Sequence, residues 1–203
     1  MTARGEDGAA HANVAKDEWR RRTRAARRAL TPVVRSDRAA ALTTAALDLA
    51  NGVTGPICAY LPIGTEPGSP GLVEALRAAG HEVLLPVVSD SRGPLEWARF
   101  DTDLAPGPIG LREPVGPRLG PAAIGRAALV LVPALAADRG GGRLGKGGGY
   151  YDRTLPLATP GTPLVVVLND EELVHEVPTE PHDHRVTAAL LPGAGLVPLG
   201  NSS

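Results

Sequence analysis

Seven of the ten residues from Gly140 to Gly149 are glycine, and charge enters the run only at Arg143 and Lys146. Glycines let backbone N–H groups turn toward an anion with no side chain between, and the two cations add fixed positive charge beside them. Tyr150, Tyr151, Asp152 and Arg153 follow in a segment expected to start a helix, so a phosphate fits at its N-terminus. The apolar segment ALVLVP, Ala128 to Pro133, leads into the run. In open α/β sheets ligands collect beyond the carboxyl ends of such strands. The chemistry expected is therefore that of a nucleotide or phosphate cradle.

Two regular phosphate motifs almost fit and fail. Gly140 to Lys146 spells GxxxxGK, but Gly147 stands where a P-loop carries the Ser or Thr that holds magnesium. Gly140, Gly142 and Gly145 satisfy GxGxxG, yet more glycine follows where a dinucleotide fold needs a helix. A flexible surface loop is the plain alternative; RLGK and YYDR argue against it, since a linker has no use for either.

The elements that would position this run are short and apolar. Strands are expected over PICAYL (56–61), EVLLPVV (82–88), Leu95–Phe100, ALVLVP (128–133) and LVVVL (164–168), with a helix over Pro70–Ala79. Strands apolar on both faces belong in the middle of a covered parallel sheet. The expectation is a three-layer α/β/α sandwich with a mostly parallel, Rossmann-like central sheet. Ahead of it, Lys16 to Arg38 carries nine basic residues against three acids. Trp19, Ala26 and Leu30 recur there at helical spacing until Thr31-Pro32. A second helix is expected from Ser36, as N-cap, to about Leu49, closing at Asn51-Gly52. Residues 1–14 are expected to be a disordered leader and 15–203 a single catalytic domain.

Composition narrows the function classes. A chain of 203 residues is long enough for one domain with a real core. Its 25 glycines and 20 prolines together stay below the quarter or more of the chain, roughly, at which low-complexity disorder becomes the default. A net charge of -1 gives no global attraction to nucleic acid. One cysteine, Cys58, leaves no partner for an internal disulfide and is expected in the core. His182 and His184 flank Asp183, but with only His175 near them they do not make a metal set. No apolar run approaches a membrane span, and the N-terminus lacks a signal-peptide core, so a soluble cytoplasmic protein is expected.

RLGKGGGYYDRTL, preceded by LVLVPALAADRGGG, resembles the signature of the 5-formyltetrahydrofolate cyclo-ligase family, the 5,10-methenyltetrahydrofolate synthetases. KDEWR (16–20), AYLPIGTEP (59–67), GLREP (110–114) and VPTEPHD (177–183) are similar to further segments of that family, in the same order. The resemblance covers about residues 16–190. It implies ATP-driven closure of 5-formyltetrahydrofolate to 5,10-methenyltetrahydrofolate in one-carbon metabolism, with Mg²⁺ as cofactor and ADP and phosphate as products. It implies ATP contacts at Lys16 and Arg20, which lie on one helix face, and along Arg143, Leu144, Gly145, Lys146, Gly147, Gly148, Gly149, Tyr150 and Tyr151. It implies folate contacts at Leu61, Glu66 and the stretch Lys146–Tyr150, and metal ligands at Asp152 and Asp183. Arg143 is the catalytic candidate, its guanidinium fork suiting the transferring phosphoryl group. Trp97 is either a ring that stacks on the pterin or a core residue.

Three departures from the family pattern stand out. Lys146 replaces a common Tyr, Ala137 replaces a common Phe and is expected to loosen packing, and Thr187 stands where a second acid is frequent. Asp183 is then expected to be the sole C-terminal carboxylate ligand. A monomer is expected, with no membrane or nucleic-acid partner. Two alternatives stay open: an ATP-dependent ligase or kinase for another small substrate, and a nucleic-acid module using the Arg-rich first helix.

Overall fold

The computed structural model of the chain describes residues 3–89, 93–101, 103–180 and 183–200. Helix α1 runs Ala3–Ala29 and α2 Pro32–Ala50. α1 thus includes most of the stretch read from sequence as a leader, which is alanine-rich and free of proline. The N-cap of α2 is Thr31 rather than Ser36: its side chain accepts from Val34 N–H, and Pro32 takes the first helical position, where no N–H is needed. At the other end Asn51 closes the helix, its N–H donating to Asp48 O.

Seven strands form the main sheet, in chain order β1 (Ile57–Cys58), β2 (Val83–Val87), β3 (Glu96–Arg99), β6 (Leu129–Pro133), β9 (Leu164–Val167), β11 (Ala188–Leu191) and β12 (Gly195–Pro198). Their spatial order is β12-β11-β9-β6-β1-β2-β3. The five inner strands pair in parallel, and β3 and β12 close the edges antiparallel. The hairpin of β4 (Leu104–Pro106) and β5 (Arg112–Pro114) stands apart from this sheet, as does the small sheet of β7 (Ala136–Asp138), β8 (Arg143–Leu144) and β10 (Leu173–Val174).

Alternation along the inner strands feeds two cores, since successive side chains point to opposite faces. On one face Ile57, Val83, Leu85, Leu129, Leu131 and Val165 pack against α2 and α3 (Pro70–Ala78) through Leu42, Ala46, Val73 and Leu76. On the other, Cys58, Leu84, Val130, Val132 and Val166 meet Ala123, Ile124 and Leu155. That second layer consists of short 3-10 segments, Pro121–Arg126 and Leu155–Leu157, and the five-residue α4 (Tyr150–Thr154). The mostly parallel sheet expected from the apolar runs is present, but one of its two covering layers is thin. The C-terminal β11–β12 hairpin has no counterpart among the expected strands.

Candidate active site

The glycine-rich run is built as a hairpin followed by a loop and a helix start. β6 ends at Pro133, and five residues later Asp138 closes β7. The Asp138 carboxylate, 8% exposed with its residue, accepts from Gly142 N–H at 2.9 Å and from Val177 N–H at 3.1 Å. This acid therefore braces the turn rather than facing a ligand. Gly141 sits at φ 85°, and a Cβ there would lie 2.5 Å from Val186 O. Because strain and a backbone clash add, Gly141→Ala is expected to destabilise the fold by more than about 2 kcal/mol, read as a lower urea midpoint with an unchanged slope. Gly149, at φ 65°, turns the chain into α4.

A cavity of about 560 Å³ opens beside this hairpin. Every residue that the resemblance assigned to ATP, folate or metal lines it: Lys16 and Arg20 from α1, Leu61 and Glu66 from the segment after β1, all of 143–152, and Asp183. Part of its wall is apolar, from Ile63, Val88, Leu95 and Leu111, none of which the sequence singled out.

Charge in the cavity is arranged in pairs. Arg143, 5% exposed, donates from Nη2 to Asp152 Oδ1. Its guanidinium also stands 6.0 Å from the centre of the Tyr151 ring. Lys16 Nζ donates to Glu180 Oε2 at 2.5 Å and Asp183 Oδ2 at 2.7 Å. Burial pulls the Lys16 pKa down, but hydrogen bonds and charge from Asp183 and Glu180 outweigh it and hold it above the ordinary lysine value. Lys146 Nζ lies 2.7 Å from Glu66 Oε1, while Glu66 Oε2 accepts from Ile63 N–H at 2.7 Å. Arg20 Nε donates to Gly145 O at 3.1 Å, and Arg24 Nη2 to Lys146 O at 3.3 Å, so α1 is fastened along the loop.

Two buried polar atoms of the lining residues, Arg143 Nε and Tyr151 Oη, have no hydrogen-bond partner among the described residues. Buried polar groups are nearly always paired, so each of these two still has a hydrogen bond to give. Burial pushes the Tyr151 phenol well above its usual range, which keeps it a donor. Burial, followed by the charge of Arg143, holds His184 below the ordinary histidine value.

Among the described residues no three acidic, histidine or cysteine groups gather as a metal cage. Mg²⁺ does not need one, because it commonly binds through one or two carboxylates and completes its shell with water and phosphate oxygens. Asp152 and Asp183 fit that demand, each lining the cavity and each already attracting a cationic group. His182 lies outside the described residues.

Trp97 is wholly buried in the second core with Leu84 and Ile124 and does not line the cavity, so of its two readings the core one holds and the stacking one fails. Cys58 is buried as expected, and burial pushes its thiol up. Thr187 stitches the start of β9, its hydroxyl bonding Leu164 N–H and C=O. Ala137 is wholly buried, between β8 and β10. Two further charged residues take part without standing out in sequence: Glu180, inside VPTEPHD, pairs with Lys16, and Arg27, at helical spacing from Lys16 and Arg20, pairs with Glu172.

A mostly parallel α/β sheet whose strands end at a glycine loop and at one cavity lined by four cations and four carboxylates defines an enzyme site. The chain belongs to the 5-formyltetrahydrofolate cyclo-ligase family, whose sequence profile matches residues 12–192, and with it to the folate-dependent ligases. It is 47% identical over 148 residues to the 5-formyltetrahydrofolate cyclo-ligase of Mycolicibacterium smegmatis, covering 70% of this chain and 76% of that protein. The Escherichia coli K12 cyclo-ligase is 31% identical over 140 residues, covering 67% and 77%. In fold the chain is similar to Aquifex aeolicus 5,10-methenyltetrahydrofolate synthetase, with a TM-score of 0.73 at 24% identity over 93% of this chain and 94% of that one. The Mycoplasma pneumoniae synthetase gives 0.68 at 19% identity over 86% and 96%. Among the described residues no helix is long and apolar enough to cross a membrane.

Proposed function

We propose that the protein closes 5-formyltetrahydrofolate to 5,10-methenyltetrahydrofolate at the expense of ATP, with Mg²⁺ held by Asp152 and Asp183. The observation that carries this reading is the convergence, in one cavity of about 560 Å³, of the loop 143–149, two carboxylates and an apolar wall. A formamide carbon is a weak electrophile and hydroxide a poor leaving group. Attack of the formyl oxygen on the γ-phosphorus, with ADP departing, solves both. N10 then bonds to the activated carbon and loses its proton, and the formyl oxygen departs with the phosphate.

Each part of the chain has a task in that sequence. Arg143, stacked near Tyr151 and with a spare Nε–H, meets the charge that develops on the transferring phosphoryl group. Lys16 and Arg20 neutralise the remaining phosphates, and Ile63, Val88, Leu95 and Leu111 shelter the flat ring from water. Glu66 accepts from pterin N–H groups with the acceptor sites that Lys146 at Oε1 and Ile63 N–H at Oε2 leave over. The metal, when bound, supplies charge neutralisation of the phosphates.

Incubation with 5-formyltetrahydrofolate, ATP and Mg²⁺ is expected to produce the ultraviolet absorbance of the methenyl product, dependent on all three. ATP turnover with another small acceptor and none with formyl-folate would instead favour the broader ligase or kinase reading.

A further inference from the structure

The carboxylates that fit a divalent cation and the cations that fit a triphosphate are, in this structure, partners of one another: Asp152 with Arg143, Asp183 with Lys16. A metal that takes Asp183 must therefore compete with an ammonium that is 5% exposed with its residue and costly to leave unpaired. Lys16 has a second carboxylate, since Glu180 Oε2 lies 2.5 Å from Nζ and Asp183 Oδ2 lies 2.7 Å from it. Glu180 is also tied to Asp183 by backbone, its N–H donating to Asp183 Oδ2 at 2.7 Å. One residue thus aims the aspartate and shares its counter-ion.

We propose that Glu180 is a positioning residue for metal and nucleotide: it retains Lys16 when Asp183 turns to the divalent cation, so that the ammonium stays beside the phosphates and Asp183 is released from it. This rests on the functional reading above and deepens it. The exchange keeps every charge compensated: the metal replaces the ammonium at Asp183, Glu180 keeps the ammonium, and the phosphates receive both cations. Metal and nucleotide then favour each other's binding, because each removes the partner the other must displace. The position of α1 does not rest on Glu180 alone, since Arg20 bonds Gly145 O and Arg27 bonds Glu172. Loss of the Glu180 carboxylate should leave the fold intact.

The test is a double-mutant cycle on Mg²⁺ binding, measured by calorimetry with the protein saturated by a non-hydrolysable ATP analogue. Glu180→Gln is expected to raise the apparent Kd for Mg²⁺ about tenfold, and to change it less than about twofold when Lys16→Met is already present. Equal effects in both backgrounds would make Glu180 a direct ligand and overturn the proposal, as would no effect in the parent. No Mg²⁺ binding in the unsubstituted protein with the analogue bound would overturn the functional reading, and the proposal with it. Thermal unfolding checks each variant first, and Lys16→Gln replaces Lys16→Met in the cycle if the latter does not fold.

Discussion

Arg143→Ala is expected to lower kcat by about a hundred- to a thousandfold while moving the KM for formyl-folate far less. The expectation follows from where the side chain sits. Its guanidinium is nearly buried, one nitrogen donates to Asp152, and Nε has no partner among the described residues. A cation so placed costs no reorganisation when negative charge builds on the phosphoryl group, and low exposure keeps water from screening it. Arg143→Lys is expected to recover little, because an ammonium cannot hold Asp152 and a phosphate oxygen with one planar fork. Steady-state kinetics separates the parameters, and a melting temperature close to the parent's confirms that the loss is chemical. Unchanged kcat in Arg143→Ala would remove the residue from the phosphoryl-transfer step.

Much of this site is legible in sequence because its pieces are contiguous. The glycines, Arg143 and the Tyr150 helix start occupy one short stretch, and the strand ALVLVP before it announces a buried parallel strand. Helix boundaries follow local rules, although Thr31 and Ser36 both satisfy the side-chain rule for a cap. Pro32 decides between them, since it fits the first turn of a helix and not its interior. What sequence does not carry is the pairing of distant charges. Glu66 and Lys146, or Lys16 and Asp183, meet only because the parallel neighbours β1 and β6 end on the same side of the sheet, where α1 and the segment before β11 also arrive. The apolar wall is hidden for the same reason: Leu95 and Leu111 look like any buried leucine until the cavity is seen. The thin second layer is hidden too, because covering strands with 3-10 turns leaves no periodic apolar stripe to detect.

Glu172→Ala is expected to cost about 3–5 kcal/mol of stability by breaking a buried tie of α1. Arg27 is 2% exposed, with Nε 2.6 Å from Glu172 Oε1 and Nη2 2.7 Å from both Glu172 Oε2 and Ala134 O. Asn169 completes the carboxylate's shell with its N–H and Nδ2, each at 2.9 Å. Truncating the glutamate leaves a buried guanidinium with one carbonyl for company, which is worse than having no charge there. The paired replacement Arg27→Met with Glu172→Leu is therefore expected to recover most of the loss, as urea unfolding would show. Function should separate the two causes. Arg27, Arg20 and Lys16 share one stripe of α1, and α1 contributes little to the two main cores. If the buried pair fixes the height of that stripe over the loop, Glu172→Ala raises the KM for ATP more than the KM for folate at temperatures where the variant is folded. Equal changes in both constants would mean that α1 keeps its place without the pair, and that Arg20 on Gly145 and Lys16 on Glu180 suffice to hold it.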